Sequence, residues 1–286
     1  METILVTGAS GKLGKAVIEA LLDKDFNVRA ATRKTTRIKW TDRVQPVLFD
    51  YEDPGLYRAA LDNISEVFLV APPLDFQAPE KLIPFIDKAG ETGVRHIVFN
   101  SAMSANSDKQ NPLRIIERYL MKSGLDYTIL RPNFFMENFS SGWISPMIAA
   151  GTIRVPAGDA RTSFISVEDI AGVVAACFEE RRYGEECSLT GPESLTYGEV
   201  ARIISDACGR TVNYIPMTEA EMVQHARQQG MPESAILYLA GLFDQVRAGL
   251  MADTTGVVRE VTGKPPMSFK EFTRKNIDAC EIRKAA

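Results

Sequence analysis

The residues with the clearest chemical meaning lie within the first fourteen positions. Gly8, Gly11 and Gly14 recur at three-residue spacing directly behind the apolar run Ile4-Leu5-Val6. Strand, glycine turn and helix in that order form a phosphate cradle. Gly8 permits the tight turn, Gly11 lets backbone approach a pyrophosphate, and Gly14 lets the following helix pack closely. That helix is marked by Leu13, Ala16, Val17, Ala20 and Leu21 on one face. Its N-terminus, entered through Ser10, Lys12 and Leu13, offers unpaired N–H groups and the positive end of a dipole. A glycine trio also marks ordinary turns. Its place immediately after the first strand is what favours a dinucleotide.

Further candidates follow the ends of later strands. The second strand runs into Arg33-Lys34, with no acid where a carboxylate would hold a free ribose 2′-hydroxyl. Arg33 can fork onto a 2′-phosphate, which favours NADPH, with NADH as the alternative cofactor. The competing reading is an exposed basic turn, since Arg37 and Lys39 follow. Asp50 suits the adenine amino group, with Tyr51 beside it, or else caps the turn before Pro54. Ala71-Pro72-Pro73 would border the ribose and pyrophosphate, or simply punctuate a strand end. Asn100 and Ser101 fall where the nicotinamide half should lie, as do Pro132, Asn133 and Phe134. Phe134, Phe135, Trp143 and Met147 would together wall a flat acceptor, although each alone fits ordinary core packing.

The elements needed to position these residues are legible. Strands are expected at 3–7, 26–32, 44–49, 66–71, 95–101 and 127–131, with helices at 12–23, 54–61, 79–91 and 112–123. This alternation predicts an α/β, Rossmann-type, doubly wound parallel sheet whose ligand lies beyond the carboxyl ends of the strands. Residues 1–132 form the expected NAD(P)-binding domain. Residues 133–286 form a smaller, mainly helical substrate lobe packed on the sheet and returning elements to it, all in a single compact unit. The sheet is expected to continue through strands near 185–190 and 211–215. Thr196-x-x-Glu199, Thr218-x-x-Glu221 and Ser268-x-x-Glu271 each predict a capped helix start.

Composition removes several classes. A net charge of -4 over 286 residues lacks the basic field of a nucleic-acid or membrane-surface protein. No apolar run approaches the ~20 residues of a membrane span, and the first strand begins too early for a signal peptide. Cys177, Cys187, Cys208 and Cys280 lack C-x-x-C spacing, and Cys177 and Cys208 read as buried free thiols. With only His96 and His225 in the chain, zinc chemistry and a serine triad are poor fits. His225, in a polar helix, reads as a surface residue. The expectation is a cytoplasmic protein, monomer or homodimer, without nucleic-acid or membrane partners.

Several longer segments sharpen this reading. Val6-Thr7-Gly8-Ala9-Ser10-Gly11-Lys12-Leu13-Gly14, Arg33 and His96-Ile97-Val98-Phe99-Asn100-Ser101 form one group. The run from Ser123 to Asn138, including Tyr127-Thr128-Ile129-Leu130-Arg131-Pro132-Asn133, and Phe164 to Ala171 complete it. Together they resemble the NmrA-like group of atypical short-chain dehydrogenases/reductases, which includes quinone reductases and triphenylmethane-type dye reductases. The wider superfamily carries Tyr-x-x-x-Lys on the helix after the fifth strand. Counted from Glu117, those positions hold Lys109 and Leu113, while Tyr119 lies on another face and reads as packing. Carbonyl reduction without a proton donor is hard to support. Hydride addition to a quinoid or cationic acceptor needs only orientation, and the resemblance implies such direct transfer. The expected reaction is therefore NADPH-dependent reduction of a small aromatic or quinoid acceptor. The alternative is a non-catalytic NADP(H)-sensing regulator that binds a protein partner, and sugar-nucleotide epimerisation, which needs the missing tyrosine, ranks last.

Overall fold

The computed structural model describes residues 2–37, 41–106 and 108–276. Contacts divide the chain into two compact units. The first comprises Met1–Pro132, Val167–Ser188 and Glu260–Gly263, and the second Asn133–Ser166, Leu189–Arg259 and Lys264–Ala286.

The first unit is built on six strands: β1 (Thr3–Val6), β2 (Asn27–Thr32), β3 (Val44–Leu48), β4 (Glu66–Val70), β5 (His96–Asn100) and β6 (Asp126–Pro132). They lie in the order β3-β2-β1-β4-β5-β6, and the strand Glu185–Leu189 joins beyond β6. Pairing is parallel from β3 through β6. Helices α1 (Lys12–Asp23), α2 (Tyr57–Leu61), α3 (Ala78–Glu91) and α4 (Pro112–Leu120) form the crossovers. The expected strand near 185–190 extends this sheet. β1, β4 and β5 are near-continuous apolar runs because both sheet faces are covered. One face packs Phe49, Tyr57, Phe85 and Phe99 under α3 and α4. Leu113 and Tyr119 pack against the same cluster, as expected for Tyr119.

The second unit is mainly helical around an aromatic core of Phe139, Phe164, Tyr197 and Phe269. All three predicted capping boxes form, at Thr196, Thr218 and Ser268. The segment expected to carry the main sheet on at 211–215 does not. Asn213–Tyr214 pairs with Thr152–Ile153 in a separate two-stranded sheet. Gly209, left-handed at φ 63°, ends the preceding helix. Ser205 Oγ then receives the Val212 N–H and ties the returning chain to its own helix. Cys208 also departs from expectation. As the last residue of that helix it lies past the buried stripe of Val200, Ala201 and Ile204, is half-buried, and is disulfide-bonded. Cys177 is buried and free, with burial pushing its thiol up to about 12. Cys280 lies outside the described residues. No described helix is long and apolar enough to cross a membrane.

At the amino ends of the strands, away from the predicted ligand edge, Glu66 and His96 are buried side by side. The Thr128 hydroxyl donates to the Arg182 carbonyl, so it accepts from His96 Nε2 at 2.9 Å. His96 Nδ1 is then the lone-pair nitrogen, 4.0 Å from Glu66 Oε1. Neither Nδ1 nor Glu66 Oε2 has a hydrogen-bond partner among the described residues. Burial pushes Glu66 up to about 7 and His96 down to about 4, so both are neutral between those values and His96 stays neutral above them.

Candidate functional site

The turn after β1 has the geometry of a phosphate cradle. Gly8 is left-handed at φ 61°, and the Gly11 N–H closes the turn on the Gly8 carbonyl at 2.9 Å. A Cβ on Gly14 would sit 2.3 Å from the Gly8 carbonyl oxygen and 2.8 Å from Ala9 Cα. Both atoms are backbone, so Gly14 is required by the contact of α1 with the turn itself. A Cβ on Gly11 would lie 3.1 Å from the same carbonyl. Gly11 stands at the N-cap of α1, which has no side-chain cap and no acid in its first turn. The three boxed helices of the second unit cap their own first-turn N–H groups with side chains, and α1 carries no such cap. Exposed Gly8, Gly11 and Lys12, with half-buried Ser10, surround this opening, while Leu13 is buried behind it.

The neighbouring strand ends are fastened to the cradle. The Thr7 N–H and hydroxyl both donate to the Phe68 carbonyl at 3.0 Å, and Thr7 Oγ1 accepts the Val70 N–H at 2.9 Å. β4 therefore delivers Ala71 and Pro72 beside β1, where the strand order reverses. Leu74, next after Pro72-Pro73, adopts a left-handed φ of 54°, a strained turn forced where the prolines cannot bend. Tyr51 donates its hydroxyl to the Val70 carbonyl at 2.9 Å and packs edge-on to Phe49 and Phe85. It thereby positions the β4 end, and burial raises its pKa. One Asp50 oxygen accepts the Glu52 N–H and so caps the turn before Pro54, while Asp53 caps the short helix that Pro54 begins. Arg33 is exposed past β2 and has no acidic partner among the described residues.

At the end of β5 two predicted residues separate in role. Asn100 is buried, and among the described residues its Oδ1 has no donor and its amide nitrogen makes only a long 3.4 Å bond to the Ser101 carbonyl. An orphaned buried acceptor calls for a partner, and a carboxamide or hydroxyl of a nucleotide would supply one. Ser101 instead donates its hydroxyl to Glu117 Oε1 at 2.5 Å. Glu117, fully buried on α4, also accepts Arg131 Nε at 2.8 Å, Arg131 Nη2 at 2.7 Å and Arg114 Nη1 at 2.6 Å. Burial pushes its carboxyl up, but the hydrogen bonds from Arg131, Ser101 and Arg114 outweigh that and hold it low. Glu186 completes the knot against Arg131. This cluster closes β6 onto α4, and Pro132 ends the strand buried.

In the second unit, Asn133 is consumed by structure. Its Nδ2 donates to Ser163 Oγ at 2.7 Å and the Met251 carbonyl at 2.9 Å, while Oδ1 accepts the Phe134 N–H at 2.8 Å. Phe134 and the 37% exposed Trp143 both meet Phe243, with ring centroids 6.2 and 6.0 Å apart. Phe135 bridges Ile165 through its backbone, and Met147 lines a groove of this unit with Arg154 and Met217. His225 is exposed, as expected. Thr7, Glu117 and Arg131 are missed as site-builders by sequence pattern, because their roles depend on partners 14 to 63 residues away. Lys109 is exposed before α4, and Leu113 is packed in its first turn.

An uncapped glycine turn at the strand-order reversal of a parallel α/β sheet defines a dinucleotide-binding fold of the Rossmann class. Within that class the chain belongs to the NmrA-like family, which it matches over residues 1–248. It is 32% identical to prestalk A differentiation protein A of Dictyostelium discoideum, covering 96% of this chain and 92% of that one. It is 33% identical to agroclavine dehydrogenase of Claviceps fusiformis, over 96% and 97%. The NAD(P)H azoreductase of Xenophilus azovorans is 29% identical, over 96% and 98%. Among solved structures, an NADPH-dependent quinone oxidoreductase from Escherichia coli, complexed with NADPH, superposes at a TM-score of 0.84 with 23% identity. That match covers 95% of this chain and 99% of the other. Citrobacter triphenylmethane reductase with NADP(H) gives a TM-score of 0.83 and 23% identity, over 96% and 99%.

Proposed function

We propose that this protein is an NADPH-dependent oxidoreductase that reduces a quinone-like, dye-like or other conjugated aromatic acceptor by direct hydride transfer. The observation that carries the cofactor assignment is the uncapped glycine cradle with an unpaired Arg33 at the next strand end. α1 and the Gly8–Gly11 turn would hold the pyrophosphate, Arg33 the 2′-phosphate, and Asn100 the nicotinamide half through its free Oδ1. Bound NADPH supplies the hydride. The chain's own part is orientation and exclusion of water, since the positions of the superfamily's proton-donor pair hold Lys109 and Leu113. An acceptor that delocalises or cancels its new charge needs no donor there. Related dehydrogenases and an azoreductase support redox chemistry in this family.

The test is a titration with NADPH and NADH, followed by an acceptor panel with the preferred cofactor. NADPH should bind more tightly, quinones or cationic dyes should turn over, and simple ketones should not. Arg33→Ala should weaken NADPH at least tenfold and leave NADH unchanged; equal losses would remove Arg33 from the 2′-phosphate. A second reading, a nucleotide-sensing regulator, draws support from the relative named as a differentiation protein. Nucleotide binding without turnover of any acceptor, with a protein partner captured differently in NADP⁺ and NADPH, would favour it.

A further inference from the structure

The helix Glu219–Gln228 carries Glu221, Gln224, His225 and Gln228 at i, i+3, i+4 and i+7, so all four share one face. That face is one wall of a groove of about 350 Å³, completed by Arg154, Met147 and Met217. Strand hydrogen bonds hold its backbone. Arg154 directly follows the strand Thr152–Ile153, and the Ile215 N–H bonds to the Ile153 carbonyl at 2.9 Å. The Met217 N–H reaches the Val155 carbonyl, which sets Met217 and Arg154 on adjacent segments.

The groove is rich in available donors. Arg154 is exposed and makes no hydrogen bond or ion pair among the described residues. Glu221 is the single carboxylate, and its Oε2 already accepts the Thr218 N–H at 2.7 Å and hydroxyl at 2.9 Å in the capping box. Two glutamine amides and an imidazole line the same groove as the guanidinium. The two thioethers supply soft, polarizable surface suited to the face or edge of an aromatic ring. Arg154 feels the charge of Glu221 across the groove but holds it in no hydrogen bond or ion pair, so its planar guanidinium can still take a ligand carboxylate bidentately, and the volume is at the small end of ligand sites, room for one or two rings.

We propose that this groove binds an aromatic carboxylate, with the ring against Met147 and Met217 and the carboxylate on Arg154. It rests on the reductase reading only in that the ligand would be an acidic aromatic acceptor or its anionic end. Gln224, Gln228 and His225 then distinguish a carboxylate from a neutral ring by donating to its outer oxygens.

The test is calorimetric titration of the full chain, without nucleotide, with 2-naphthoate and with its neutral analogue 2-naphthalenemethanol. Naphthoate should bind saturably and at least tenfold more tightly than the alcohol. Arg154→Ala should bring naphthoate down to the alcohol's affinity and leave the alcohol unchanged, and Arg154→Lys should restore only part of the loss. Gln228→Glu, which adds a like charge on the helix face, should weaken naphthoate alone, and far-UV circular dichroism checks that each variant is folded. No saturable naphthoate binding, or binding unaffected by Arg154→Ala in a folded protein, overturns the proposal. Because no cofactor or turnover enters the measurement, such a failure leaves the reductase reading intact. An acceptor panel without turnover, conversely, leaves this binding result standing.

Discussion

Arg131→Met should destabilise the first unit by about 3 kcal/mol. Glu117 is fully buried and takes two hydrogen bonds from Arg131, at 2.8 and 2.7 Å. Removing one partner of a buried ion pair typically costs about 3–5 kcal/mol, because the other charge is left without compensation. Arg114 and Ser101 still donate to Glu117, which places the loss at the lower end of that range. Replacing both, as Arg131→Met with Glu117→Leu, removes the stranded charge. The remaining ions, Arg114 and Glu186, lie 3.8 Å apart and reach solvent, so they satisfy each other. Ser101 then lacks its acceptor, at about 1 kcal/mol. The double variant should therefore recover most of the loss. The sign with pH follows from the depressed Glu117 carboxyl. Its contribution is complete above the unfolded value of about 4.3 and is lost as pH falls through the lower folded value. The gap between wild type and Arg131→Met should accordingly narrow in acid. Urea unfolding followed by circular dichroism at neutral and acid pH measures all of this. A loss below about 1 kcal/mol for Arg131→Met, or a double variant as unstable as the two single losses summed, would refute the reasoning.

Gly14→Ala should abolish NADPH binding and lower stability, since its Cβ has only backbone to displace at 2.3 and 2.8 Å; fluorescence titration and a melting curve report the two effects. Asn100→Leu should weaken NADPH binding at least tenfold with little change in unfolding free energy, because the lost Oδ1 has no partner to strand. Glu66 and His96 oppose each other in acid. Glu66, raised from 4.5 to about 7, loses stability for the fold as pH rises through that window, whereas His96, lowered from 6.5 to about 4, adds stability as pH rises through its own. Glu66→Gln should therefore steepen the rise in stability between pH 4 and 6.5 and be more stable than wild type above pH 7, as read by urea midpoints across pH.

Strands, the helices between them and the glycine cradle are legible in the order of amino acids, because these depend on neighbours within a few residues. Apolar period, capping boxes and the spacing of Gly8, Gly11 and Gly14 are local signals, and they carry the family resemblance with them. Tertiary structure alone decided which polar residues are free to act. Ser101 and Asn133 sit at strand ends where a cofactor residue is expected, yet Glu117 holds the first, and Ser163 and Met251 hold the second. Asn100 is left with an open acceptor only because nothing folds against its Oδ1. The strand at Asn213–Tyr214 is a like case: its composition suits any sheet, and it pairs with Thr152–Ile153, beside the Val212 N–H that Ser205 holds. Side-chain availability is a property of partners brought from far along the chain, and spacing cannot record it.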